Sequence, residues 1–311
     1  MKKTFFVVFI FYILVTPVIA TPPGLSPEGL VQKTMDHRRY LKSISVSQTL
    51  HFLEGFFTAT PFVCQEAISY AKYHFLRIDY ICNDIPLTLL QENKTRKIIY
   101  NGKIETLEDR PFNFLTALLF QVDEDSLIES LAFDQFIEAQ KMSNLITFPD
   151  TLKSEKLTYA PSTNTQWHVS GMLSGPFRVG KIEKKSDEKM ERNLILKLNT
   201  PLNETQSISF DQNLFLPLKI EHKEREVLLS NYKEFENPKE RFYRYPQKTE
   251  FFEGTLPGIL IETDAQSIVV NQPFEKEFYS ATQISKNQKG AFPEYLSYMK
   301  DTLERFILEY R

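Results

Sequence analysis

Asn101-Gly102 stands between two β-prone runs, residues 96–100 and 103–107. Asn and Gly accept the two positive φ angles of a type I′ turn, whose twist matches that of paired strands, so this segment is a β-hairpin. Two strands joined by so short a turn are antiparallel, and similar runs flank them. Ile44, Val46, Leu50 and Phe52 alternate with Ser43, Ser45, Ser47, Thr49 and His51, the pattern of a half-buried strand. Residues 67–80, rich in Tyr, Phe and Ile and poor in breakers, read as one long strand, and residues 85–92 as another.

Pro111 ends this region, and the period changes. Phe112, Leu115, Leu118 and Leu119 form one apolar patch, followed by Leu127, Ile128, Leu131, Phe136 and Ile137 at helical spacing. Asp123, Glu124 and Asp125 lie where a helix N-terminus favours acids. A helical insert over about 111–142 follows from this pattern. Earlier, residues 25–40 form a first helix, with Ser26 as N-cap, Pro27 at the first helical position, and Leu30, Val31, Thr34, Met35 and Arg38 recurring on one face. Residues 143–164 are mostly irregular.

Beyond them strands resume at 166–173, 177–183, 193–199, 207–211, 214–222, 226–235, 241–245, 248–253, 259–263 and 267–271. Leu296, Met299, Leu303, Phe306 and Ile307 stripe a closing helix over about 294–310. Helix, meandering strands, helical insert and more meandering strands make an α+β chain built on antiparallel sheet, which must bury one face. The central helices are its natural cover. No Pro/Gly/Ser linker divides the chain, so residues 21–311 read as one domain.

The amino terminus reads as an export signal. Lys2 and Lys3 precede a continuous apolar run, Phe5 to Val15, and Val18-Ile19-Ala20 places short side chains before a cleavage point after Ala20. That run is shorter than the ~20 residues a membrane-spanning helix takes. Residue 21 is Thr, without the thiol that lipid attachment there would need, so a free periplasmic protein is expected. Lys2 and Lys3 are two of 37 basic side chains, so the processed chain would carry 35 against 40 acidic ones. That balance gives no footprint for nucleic acid. With 26 Phe and 14 Tyr against 10 Gly, a packed aromatic interior is favoured.

Cys64 and Cys82 are the two cysteines, in a compartment that permits disulfides. On one straight strand their Cα atoms would lie roughly 60 Å apart, whereas a disulfide needs them within about 7 Å. The chain would have to reverse between them, yet no Gly or Pro lies between Ser69 and Ile81. A bonded pair and two buried thiols both stay open.

Catalytic chemistry is hard to find. His37, His51, His74, His168 and His222 are scattered, none at metal-ligand spacing from another His or Cys. Gly171-Met172-Leu173-Ser174-Gly175 misses a nucleophile elbow by one place and reads as a turn between strands. The sequence carries no phosphate-cradling Gly loop and no dinucleotide fingerprint. No catalytic residue, metal or cofactor is expected.

The order of motifs carries a resemblance. Leu25-Ser26-Pro27-Glu28-Gly29-Leu30 opens a helix, and Leu41-Lys42-Ser43-Ile44-Ser45-Val46 starts a strand directly after it. Arg77-Ile78-Asp79-Tyr80 leads through Leu87-Thr88-Leu89-Leu90 to Ile99-Tyr100-Asn101-Gly102-Lys103. Ser209-Phe210-Asp211 and Leu216-Pro217-Leu218-Lys219-Ile220 follow the insert. This succession, over about 25–260, resembles the outer-membrane lipoprotein-sorting proteins, periplasmic carriers of the LolA type. The chain is longer than those carriers at 140–190 and after 250.

The resemblance implies a strongly curved, incomplete β-barrel whose apolar concave face is lidded by helices and holds lipid or lipoprotein acyl chains without catalysis. It makes Phe112, Leu115, Leu118, Leu119, Leu127, Leu131 and Phe136 the candidate lid and cavity residues. Partners would be acyl chains and membrane-bound donor and acceptor proteins, with the carrier itself a monomer. A cell-envelope module that docks a protein on the same sheet is the alternative. An exported hydrolase with dispersed catalytic groups is a third, weaker one.

Overall fold

The computed structural model describes residues 27–36, 38–72, 75–136, 146–147, 195–200, 203–211, 214–222, 224–237 and 241–311. The export segment, the turn at Gly171-Gly175 and the strands expected at 166–173 and 177–183 lie outside them. In chain order come α1 (Pro27–Asp36), β1 (Ser43–Phe52), β2 (Phe62–Ala71), β3 (Phe75–Cys82), β4 (Ile85–Glu92), β5 (Thr95–Tyr100) and β6 (Lys103–Thr106). The insert forms α2 (Phe114–Phe120) and α3 (Glu124–Phe133). Then follow β7 (Ile146–Thr147), β8 (Ile195–Thr200), β9 (Asn203–Asp211), β10 (Pro217–His222), β11 (Arg225–Asn237), β12 (Arg241–Glu253), β13 (Leu256–Thr263), β14 (Val269–Val270), α4 (Ala281–Asn287) and α5 (Ser297–Tyr310).

All these strands join one antiparallel sheet in the order β6-β5-β4-β3-β2-β1-β13-β12-β11-β10-β9-β8-β7, with β14 paired to the start of β1. Two meanders, β1–β6 and β7–β13, are therefore stitched together by β1 against β13. Because β6 and β7 lie at opposite edges, the link between them has to cross the sheet, and α2 and α3 belong to that link. The crossing places apolar helices on the inner face.

The sheet is strongly curved. Arg96 on β5 and Arg225 on β11 both reach the last turn of α5, at Ile307 O and the Glu309 carboxylate. Seven inter-strand steps separate those strands, roughly 34 Å in a flat sheet at about 4.8 Å per step. Only a sheet curled around the helix brings both to one turn. It remains open, since β6 and β7 are not paired to each other. The expected α+β fold, a curved antiparallel sheet with helices on its concave face, is the observed one.

β1 alternates as its sequence requires, with Ile44, Val46, Leu50 and Phe52 buried in the core. Asn101 and Gly102 adopt φ of 49° and 73°, making the tight turn between β5 and β6. The long strand expected over 67–80 is instead two strands, β2 and β3, with Ala71 opposite Phe75. Opposed residues in this hairpin share parity, so the buried set Cys64, Ile68, Tyr70, Leu76, Ile78, Tyr80 stays in phase through the reversal. Alternation alone could not reveal it. The reversal sets Cys64 opposite Cys82, and the two form a buried disulfide with Cα atoms 4.3 Å apart.

Two further expectations need correcting. The separate strands at 241–245 and 248–253 are the single β12, running through Pro246. Before Lys248 this strand pairs with β11 alone, so the missing Pro246 N–H lies where β12 has one neighbour only. The strand expected at 267–271 shrinks to β14, after a 3₁₀ turn over Ala265–Ser267 capped by Asp264. The first helix ends at Asp36, where the Arg38 and Leu41 amides bond three residues back and tighten the turn.

The carboxy-terminal segment covers both faces. α4 packs Ile284 against Leu90 and Ile99 outside the sheet. The chain then rounds the strand ends, stacking Phe292 on Tyr100, and α5 enters the concave side. There Phe306 packs against Phe52, Phe57 and Phe251.

Replacing Cys64 and Cys82 by Ser should lower unfolding stability by about 3 kcal/mol, the loop-entropy value for a closure of this size. Urea denaturation of the double variant measures this, and an unchanged midpoint would contradict it.

Candidate functional site

The enclosed space between the curved sheet and its helices is the candidate site. Its cover begins where Asn113 caps α2, its Oδ1 accepting from the Leu115 N–H at 3.1 Å. Asp134 then accepts from the Phe114 N–H at 2.9 Å and pairs with Arg110 at 2.8 Å. All seven residues of α2 are buried. Asp123 caps α3 by accepting from the Ser126 N–H, which accounts for the acidic trio noted in the sequence.

The far end of α2 presents carbonyls that no helical N–H can reach. Arg38, itself buried, donates through Nη1 to Ala117 O at 3.1 Å and to Leu118 O, and Tyr243 Oη donates to Leu119 O at 3.1 Å. Burial lowers the Arg38 pKa to about 10. Carbonyl oxygens, not a carboxylate, are the hydrogen-bond partners of this charge. Burial likewise raises the Tyr243 hydroxyl, which stays a donor at any physiological pH.

α5 is held the same way. Arg96 Nη2 donates to Ile307 O at 3.2 Å, Arg110 Nη1 to Leu308 O at 3.3 Å, and Asn113 Nδ2 to Glu309 O at 2.6 Å. Cationic donors at a helix C-terminus also favour its dipole.

The concave face is not wholly apolar, contrary to the expectation. Glu66 on β2 and Arg311 form a bidentate pair at 2.8 and 2.9 Å, with side chains 0% and 2% exposed. Gln48 donates to the same carboxylate, and Tyr80 and Tyr245 stand nearby. Glu66 outweighs the burial cost and raises the Arg311 pKa above its ordinary value.

The seven candidate lid residues are all buried and belong to one cluster with the inner face of the sheet. Phe112 meets the Tyr70 ring at 6.1 Å, and Phe136 meets Phe114 at 5.0 Å. Leu115, Leu118 and Leu119 ride on α2, and Leu127 and Leu131 on α3. The space that the resemblance would leave hollow is filled by these side chains and by those of α5. Among the described residues, hollows beside the cover are small. One, of about 10 Å³, lies by Arg38, Tyr232 and Arg244. Another, of about 140 Å³, lies between the β4–β5 turn and α3, lined by Asn93, Lys94, Phe112, Gln121, Glu129 and Ser130. Both fall short of the ~300–1,000 Å³ of a drug-sized ligand site.

Arg38, Tyr243, Arg96 and the Glu66–Arg311 pair were not singled out from the sequence. Two of them left a signal. Arg38 falls on the apolar stripe of its helix, and Glu66 falls in phase with Cys64, Ile68 and Tyr70 on the buried face of β2. Among the described residues no group of three His, Cys, Asp or Glu side chains could hold a metal ion.

No protein-family model matches the chain, and no curated protein matches it. Among solved structures it is similar to an outer membrane lipoprotein-sorting protein domain from Vibrio parahaemolyticus, at 8% identity and a TM-score of 0.44, covering 84% of this chain and 98% of that one. It is also similar to a LolA superfamily protein from Nitrosomonas europaea, at 7% identity and a TM-score of 0.43, over 83% and 98% of the two chains. A DUF1329 family protein from Desulfovibrio piger matches at 7% and 0.43, over 82% and 95%. So distant a likeness says nothing of cargo.

Glu66→Gln should cost about 3–5 kcal/mol, because it strands the Arg311 charge in the interior. The double change Glu66→Leu with Arg311→Met should recover most of that loss. A single variant within 1 kcal/mol of the parent in urea denaturation would contradict the role given to the pair.

Proposed function

We propose that the chain is a non-catalytic carrier of lipid or lipoprotein acyl chains in the periplasm, and that the geometry described above is its closed, unloaded form. The observation that supports this is the construction of the cover. A short helix, buried along its whole length, shields the apolar inner face and is held at its far end by Arg38 and Tyr243, which belong to the body of the protein. Such a helix can leave as a unit when a few directional bonds break.

The energetics suit that reading. A sixteen-carbon chain resists leaving a membrane by roughly 12 kcal/mol, at about 0.8 kcal/mol per CH₂. A carrier has to offer equivalent apolar surface and still release its load. Leu115, Leu118 and Leu119 each lose on the order of 1.5–3 kcal/mol if exposed to water, so opening without cargo is costly. An acyl chain that takes their place against Tyr70, Tyr245 and the rest of the sheet restores the loss. Phe112, Leu127, Leu131 and Phe136 would complete the wall around it. Exchange between membrane-bound donor and acceptor proteins would be governed by contacts at the cover.

Protein purified gently from periplasm should carry lipid detectable by mass spectrometry, and should take up a fluorescent fatty acyl probe. Arg38→Met removes charge-assisted bonds worth about 1.5–3 kcal/mol, so its probe uptake should be roughly tenfold faster or more. Circular dichroism would establish that this variant is folded. Absence of bound lipid together with no uptake by either protein would overturn the proposal, and a single abundant protein crosslink in cells would then favour a docking role.

A further inference from the structure

The two edges of the sheet are unequal. β7 is two residues long, too short to template another strand. β6 is longer, and all four of its residues, Lys103 to Thr106, are exposed. It pairs with β5 in unbroken register, Tyr100 opposite Lys103 and Ile99 opposite Ile104, with no bulge and no proline to blunt it. Just after it the Leu107 N–H donates to Arg96 O. Backbone groups alternate sides along a paired strand, so Lys103 and Glu105 also bond toward β5, while the N–H and C=O of Ile104 point away from the sheet. No described residue bonds to them. Side chains divide in the same rhythm. Glu105 stands opposite the core residue Ile98, on the inner side. Ile104 stands opposite Ile99, which packs with α4 on the outer side, yet Ile104 itself is 43% exposed.

We propose that β6 is a self-docking edge whose partner is β6 of a second copy of this chain, paired antiparallel about a two-fold axis at Ile104. In that register the two Ile104 residues are directly opposed and exchange N–H···O bonds, which uses the backbone groups that face outward. The same register sets Lys103 of one copy opposite Glu105 of the other, and the symmetry repeats the pair. Charged side chains on an edge strand guard it against a second chain. Here the two signs stand one on each side of the axis, so the guard matches its own copy. Opposite charges across paired strands stabilise and like charges destabilise, so a foreign strand would have to present an acid and a base at this same spacing. The exposed Ile104 side chains meet on the outer side, next to α4. A seam of four residues falls short of the ~1,200 Å² that a stable complex buries, so the dimer is weak and forms as concentration rises. It departs from the monomer that the resemblance implies, and it is independent of what the carrier holds.

Sedimentation equilibrium of the full chain tests this, with loading from about 1 µM to 1 mM, the span of weak affinities. The mass should rise toward that of two chains. Ile104→Pro removes an N–H that β5 does not use, so this variant should keep its fold, seen by circular dichroism, and stay at the mass of one chain. Lys103→Glu sets Glu against Glu, and Glu105→Lys sets Lys against Lys, so each variant alone should associate about tenfold more weakly or worse. Mixed in equal amounts, the two charge variants should associate as well as the parent, because every charge then meets its opposite. A parent with the mass of one chain at every concentration would overturn the proposal. So would a dimer that survives Ile104→Pro in a folded protein, or a mixture of the charge variants that associates no better than its components.

Discussion

Everything on the concave side depends on what happens to the carbonyls at the ends of two helices. α2 and α5 stop inside the protein, where water cannot satisfy their last C=O groups. The body answers with buried donors. Arg38 and Tyr243 take the end of α2, and Arg96, Arg110 and Asn113 take the end of α5. Burying a guanidinium against carbonyls alone is expensive, and the depressed pKa of Arg38 and of Arg96, each to about 10 with burial as the largest cause, registers that expense. The arrangement holds cover helices in one position by bonds that are few, directional and separable.

The two helices differ in how firmly they are tied. α5 has, beyond its carbonyl contacts, the Arg311–Glu66 pair at its end and the ring contacts of Phe306 and Tyr310 with Phe57 and Phe251. Displacing it would strand Glu66 in the interior, a cost of about 3–5 kcal/mol for the charge alone. α2 has no comparable buried ion pair among the described residues. On the proposed function the insert would be the movable part of the cover, with α5 the fixed filling under the other half of the sheet.

Much of this was legible in the sequence. Asn101-Gly102, the alternation of β1 and the apolar helices of the insert all did what local chemistry requires. The β2–β3 reversal was not legible, because an even register keeps the buried face in phase and no Gly or Pro marks the turn. With it went the disulfide, whose pairing depends on that register. The two short runs expected at 241–245 and 248–253 are one strand through Pro246, since a missing N–H is tolerated where a strand has a single neighbour. The donors at the helix ends were hidden for another reason. Their role depends on meetings between residues about 80 to 210 positions apart, and only the misplaced charges of Arg38 and Glu66 on apolar faces hinted at it.

The central claim is that α2 and α3 open while the sheet stays folded. Hydrogen exchange followed by mass spectrometry, with and without a saturating sixteen-carbon lipid, tests it directly. The account predicts that amides of residues 114–133 exchange through an opening much cheaper than the global unfolding that frees β1–β3, and that lipid changes their rate while the strands keep theirs. Exchange of the insert only at the rate of those strands, unaltered by lipid, would mean that the cover is ordinary fixed core and would contradict the account.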